Sequence, residues 1–71
     1  MKIVFTNHAK CRIMERQISV QNVRQTIKNP DSRKEDVYGM ITTRKVFGKR
    51  TLEIIYRVSG NTVIIITTYY L

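Results

Sequence analysis

The chain has 71 residues, with thirteen Lys and Arg against five Asp and Glu and a formal charge of +8 at pH 7. That length allows one domain near the lower limit for a self-sufficient core, and the charge favours a polyanionic partner, nucleic acid or an acidic protein. No apolar run reaches the ~20 residues of a membrane span, and a lone cysteine with a lone histidine excludes an internal disulfide and a structural zinc site.

Lys2 to Phe5 is a short β-forming run and predicts a first strand. Thr6 is placed to cap a helix reaching about Arg16. Ser19 is a second N-cap, and Ile18 before it and Val23 four residues after it have the spacing of a hydrophobic staple. Val20, Val23 and Ile27 then form one apolar stripe, and Asn29-Pro30 ends the helix, because the residue before proline is pushed out of the α region. Asp31 to Gly39 is polar and reads as a loop. Met40 to Phe47 is a strand, Gly48-Lys49 a tight turn, and Arg50 to Val58 an alternating strand with Leu52, Ile54, Tyr56 and Val58 on one face. After a turn at Ser59-Gly60-Asn61, Thr62 to Tyr70 is the most apolar strand, with the character of a covered one.

The order β-α-α-β-β-β predicts an α+β fold: a four-stranded, largely antiparallel sheet with two helices packed on one face, as a single domain over 1–71. Two helices cover only one side of such a sheet. The other side stays at least partly open, and function is expected there. Met1 to Phe5 is too short for a signal peptide, Cys11 reads as a small packing residue rather than a nucleophile, and a cytoplasmic location is expected.

The stretch Thr6 to Arg16 holds the only histidine. Read as a helix, it sets His8, Arg12 and Arg16 four residues apart. Four residues turn the chain by roughly 400°, so one imidazole and two guanidiniums share a face beside Ala9 and Ile13. Such a group suits binding a phosphodiester, and cleaving one. Metal-free cleavage of RNA needs a base for the 2′-hydroxyl, a cation for charge on the phosphate and an acid for the leaving oxygen. Histidine is the residue type suited to general acid–base work near neutral pH, which makes His8 the candidate, and arginine forks match phosphate oxygens.

Arg44, Lys45, Arg50 and Arg57 add cations on the strands, while Tyr56, Tyr69 and Tyr70 can stack on bases or donate protons. Arg44 and Lys45 point to opposite sheet faces, so at most one shares a site with Arg57 or Tyr69. Glu53 is the one acid in mid-strand; it either pairs with a cation on its own face or acts as a base. Each residue has a structural alternative: a packing histidine, arginines lying along the core edge, tyrosines as core or cross-strand partners. Glu15, Asp31, Glu35 and Asp36 do not form the convergent acidic set of a two-metal nuclease. Three scattered glycines make no phosphate-binding loop, and no cofactor is expected.

Phe5-Thr6-Asn7-His8-Ala9, then Arg12 and Arg16, Ile18-Ser19 and the terminal Asn29-Pro30 resemble a small prokaryotic and phage domain family of the DUF4258 type. Its pattern is T-x-H-A, R-x-x-x-R, I-S and N-P or D-P, followed by a basic β-meander. Arg50 to Tyr56 and Val63 to Tyr69 fit that pattern, so the resemblance spans nearly the whole chain. In element order the family is similar to RelE-type and BrnT-type toxins, metal-independent ribonucleases that use scattered sheet residues. The resemblance carries over to His8, Arg12 and Arg16 on the helix and Tyr56 and Tyr69 on the strands. Joined to the strand cations, it gives His8, Arg12 and Tyr69 as the expected catalytic residues and Arg16, Arg44, Lys45, Arg57 and Tyr56 as the expected nucleic-acid-binding set. RNA is the expected substrate and an acidic antitoxin the expected protein partner. The alternatives are a non-catalytic nucleic-acid-binding module and an interaction domain that forms a homodimer through its last strand.

Overall fold

The computed structural model describes residues Met1–Leu71. The chain runs as β1 (Lys2–Phe5), α1 (Asn7–Arg16), α2 (Val20–Lys28), β2 (Ser32–Glu35), β3 (Ile41–Phe47), β4 (Arg50–Ser59) and β5 (Thr62–Tyr70). One sheet holds all the strands in the order β1-β5-β4-β3-β2. From β2 to β5 it is an antiparallel meander, while β1 lies parallel to β5 with Ile3 opposite Val63 and Phe5 opposite Ile65. The fold is α+β, two helices on a five-stranded mixed sheet. No helix is long and apolar enough to cross a membrane.

Two expectations change. The sheet has five strands, because Ser32–Glu35 within the expected loop pairs antiparallel with Ile41–Arg44. Its four side chains are all exposed, so no apolar alternation announces it; backbone bonds to β3, with the Thr43 hydroxyl donating to the Ser32 carbonyl at 3.1 Å, hold it. A short, charged edge strand of this kind also discourages pairing with other chains. Second, the sheet is mixed, because β1 pairs parallel to β5 along Thr62–Ile65.

Local chemistry sets the helix ends. The Thr6 hydroxyl accepts the Ala9 N–H and donates to the Ile66 carbonyl at 3.0 Å, so one side chain both caps α1 and ties it to β5. Gln17 ends α1 in the left-handed region at φ 51°, which lets the Ile18 N–H turn back onto the Ile13 carbonyl. The Ser19 hydroxyl accepts the Asn22 N–H, and the stapled pair Ile18 and Val23 is buried.

The core lies between the helices and one sheet face. Ala9, Ile18 and Val23 meet Ile41, Leu52, Ile54, Tyr56, Val63 and Ile65 there. Along β4 the core takes Leu52, Ile54 and Tyr56, which by alternation turns Glu53, Ile55 and Arg57 to the opposite face. β5 changes phase midway: Tyr56 opposes Ile65 but Ile55 opposes Thr67, leaving Ile66 as the extra residue of a β-bulge. Before the bulge Val63 and Ile65 face the helices. After it Thr68 and Tyr70, opposite Ile54 and Leu52, do so, and Thr67 and Tyr69 turn outward. The bulge therefore decides the side on which Tyr69 works.

Candidate nucleic-acid interface

The helix-free face can be read row by row from the strand register. Ser32, Arg44, Glu53 and Tyr69 stand side by side across β2, β3, β4 and β5; Lys34, Thr42, Ile55 and Thr67 form the adjoining row. Arg57 follows on β4 opposite Ile64, which is itself opposite Val4. Successive rows are two residues apart, about 6.6 Å along the strands. On the strands this face carries Lys2, Lys34, Arg44 and Arg57 against a single acid, Glu53.

Glu53 is the centre of the first row. Its side chain is 7% exposed although it lies on the face that no helix covers. Arg44 covers it from β3, with Nε donating to Oε1 at 2.5 Å, and Tyr69 donates its O–H to Oε2 from β5. Burial alone would push the Glu53 carboxyl up; the Tyr69 and Arg44 hydrogen bonds and the Arg44 charge outweigh it and hold the group below the ordinary glutamate range. The Tyr69 phenol moves the other way. Its hydrogen bond to Glu53, then its burial and the Glu53 charge, push it up, and the Arg44 charge offsets part of that.

Arg44 has only part of its fork committed. Its side chain is 51% exposed, and with Ser32, Arg33, Lys34 and Thr42 it lines a polar depression of about 370 Å³. Of two further depressions, one of about 280 Å³ among Met1, Ile27, Tyr56, Val58, Gly60, Asn61 and Val63 is mostly apolar and does not suit a phosphate, and one of about 310 Å³ lies on α2 among Val20, Gln21, Arg24, Gln25 and Lys28, away from the Glu53 row. Arg57 and Lys34 are exposed and make no ion pair. The face combines cations with partly exposed Ile55, Thr67 and Tyr69, a surface on which a backbone and its bases can both find contacts.

The residues expected from sequence divide across the sheet. Arg44, Arg57 and Tyr69 share the open face. His8, Arg12 and Arg16 belong to α1 on the other side, where Ala9 and Ile13 pack into the core. His8 and Arg16 are exposed there, and Arg12 pairs with Glu15 at 3.4 Å. No hydrogen bond or ion pair joins His8 or Arg12 to Tyr69: Arg12 engages Glu15 and Tyr69 engages Glu53. Lys45 turns to the helix side, as alternation from Arg44 requires, and donates to the Asn29 carbonyl at 2.8 Å while approaching Asp31. Tyr56 is a core residue, 4% exposed, and is not available to stack on a base. Arg50 lies over the Tyr70 ring, 3.6 Å from its centroid.

Lys34 is the residue that sequence reasoning missed, because its strand looked like a loop. Glu53 carried a usable signal: a lone acid between Leu52 and Ile54 in an alternating strand must face away from the core and needs a cation there.

A family model described as "Domain of unknown function (DUF4258)" matches residues 5–70. No curated protein and no solved structure matches the chain. With the match running from the end of β1 to the last residue of β5, this chain belongs to the DUF4258 domain family.

Proposed function

We propose that the open sheet face binds single-stranded RNA and cleaves it without a metal ion, in the manner of RelE-type and BrnT-type toxins. The observation that carries this reading is the row Arg44–Glu53–Tyr69: a nearly buried carboxylate, bridged by a half-exposed arginine and a phenol, on the sheet face that no helix covers. Arg44 meets the scissile phosphate, and Lys34 and Arg57 meet its neighbours. Tyr69 is the proton-transfer group and Glu53 its support.

In the step that follows, the 2′-oxygen bonds to phosphorus as its proton passes to the Tyr69 oxygen and the Tyr69 proton passes to Glu53. The P–O5′ bond breaks, Glu53 returns the proton through Tyr69 and a bridging water to the 5′-oxygen, and a 2′,3′-cyclic phosphate remains. Arg44 stabilises the charge that grows on the phosphoryl oxygens. Glu53 is already engaged by a cation and a phenol, which argues for this role over metal binding. The same saturation favours a second reading, in which the row only stiffens a non-catalytic binding surface. An acidic protein that covers the basic face, an antitoxin in the toxin analogy, would be the regulator in either case.

The test is incubation of a labelled single-stranded RNA in EDTA with the wild type, Tyr69→Phe, Arg44→Ala and His8→Ala, with and without ribosomes. Cleavage to cyclic-phosphate ends that is lost in Tyr69→Phe and Arg44→Ala and kept in His8→Ala supports the nuclease. Binding without cleavage in both formats supports the module.

A further inference from the structure

The β2–β3 connection holds the two most exposed large apolar side chains of the domain, Val37 at 92% and Tyr38 at 88%. A small domain short of core would be expected to fold such residues inward, since an aromatic ring buries a large apolar area. Here the turn prevents it. The Asp36 carboxylate accepts the N–H groups of both Tyr38 and Met40, at 2.8 and 3.0 Å. Its main chain closes the loop as well, accepting the Gly39 N–H and donating to the Met40 carbonyl. Gly39, at φ +83°, completes the reversal in a conformation that other residues adopt only with strain. The tip is thus a preset turn that displays an aromatic ring.

Its position gives the ring a use. β2 and β4 run in the same direction, so the β2–β3 turn lies at the end of the sheet toward which Arg57 follows Ile55. Lys34 is two residues before Asp36 on the adjoining strand and faces the open side. The path from Arg44 through Lys34 to the tip therefore passes from one cation to another and then to an exposed aromatic. Binding grooves for single-stranded nucleic acid have this composition: cations follow the backbone and an aromatic face takes a base, whatever its identity.

We propose that Tyr38 is a base-stacking finger that takes an unpaired nucleobase at the end of the tract held by Arg44, Lys34 and Arg57. This inference rests on the open face binding RNA. It adds a residue outside the sheet, an end to the binding tract and a requirement for an unpaired base at that end. Tyr38 is remote from Glu53 and Tyr69 along the sheet, so it sets affinity and reach rather than the proton transfer.

The test uses the full chain in EDTA with a labelled single-stranded RNA of mixed sequence. Tyr38→Ala is expected to weaken binding about 5- to 150-fold, the range seen when one base-stacking aromatic is removed, and Tyr38→Phe to retain it. The ring is almost wholly exposed, so neither change threatens the fold, and matched thermal melts verify this. The chain has no tryptophan, so Tyr38→Trp introduces a single indole whose fluorescence reports directly. Quenching by the RNA, and its loss with an oligonucleotide abasic throughout, is the expected result. Wild-type binding that Tyr38→Ala leaves intact, with an unquenched indole, overturns the finger and spares the open face. Failure of the wild type to bind any RNA, ribosomal RNA included, overturns both. A protein dimer lost in Tyr38→Ala would make the tip a protein contact and overturn the stacking role.

Discussion

Glu53→Gln is the most informative single change, because it removes a charge and keeps the shape. In the wild type the carboxylate takes one hydrogen bond from Arg44 and one from Tyr69. Hydrogen bonds to a charged group are worth about 1.5–3 kcal/mol and neutral ones about 0.5–1.5 kcal/mol, so each contact loses roughly 1 kcal/mol. The Arg44 loss is smaller still, since half of that side chain is in water and its charge is screened. The neutral amide is also cheaper to bury, which returns part of the total. The net cost is about 1–2 kcal/mol, or roughly 4–16 °C in Tm for a domain of this size. The sign of the pH dependence follows from the depressed carboxyl. Its stabilisation is present above the unfolded glutamate pKa of about 4.3 and is lost as pH falls through the lower folded value. Thermal melts of wild type and Glu53→Gln from pH 8 down to pH 2 should differ fully above about pH 5 and converge in acid. Equal or higher stability of Glu53→Gln at pH 7 would refute the reasoning, because burial of the charge would then outweigh its two partners.

The raised Tyr69 phenol gives the complementary limit: its contribution holds below about pH 10 and is lost as pH rises through the folded value, so Tyr69→Phe should differ least from wild type in strong base, read by the same melts. Arg44→Ala should lower RNA affinity and reduce the slope of log K against log salt by about 0.7, the value for one phosphate contact on a single strand. Gln17→Gly should raise stability by about 0.5–1 kcal/mol in denaturant melts, since Gln17 holds a left-handed backbone that glycine adopts freely. Ile54→Ala, at a fully buried position of a central strand, should cost about 2–5 kcal/mol and leave much of the population unfolded at 37 °C by circular dichroism.

The elements with strong local chemistry were legible in the sequence. Thr6 and Ser19 cap the two helices as their spacing implied, and Asn29-Pro30 ends the second. The alternation of β4 sorted Glu53 and Arg57 away from the core. What could not be read was long-range pairing. Ser32–Glu35 has no apolar face because it sits at an edge and pairs through its backbone groups, so its composition is that of a loop. Helical spacing grouped His8, Arg12 and Arg16 but carries no information on which side of the sheet the helix packs. A strict period of two would have sent Tyr69 to the core with Val63 and Ile65; the bulge at Ile66 reverses that, and nothing in the local sequence marks it. The exposed finger was missed for the same reason as its strand: Asp36-Val37-Tyr38-Gly39 reads as solvated loop until the turn geometry is seen.

The central claim is that RNA lies on the helix-free face. Titration of ¹⁵N-labelled protein with a short single-stranded RNA, followed by amide chemical shifts at moderate salt, tests it most directly. The account predicts that the largest changes fall on Lys34, Thr42, Arg44, Arg57, Thr67 and Tyr69, with those of His8, Arg12 and Arg16 near background. Changes concentrated on α1, or a spectrum that RNA leaves unmoved, would contradict it.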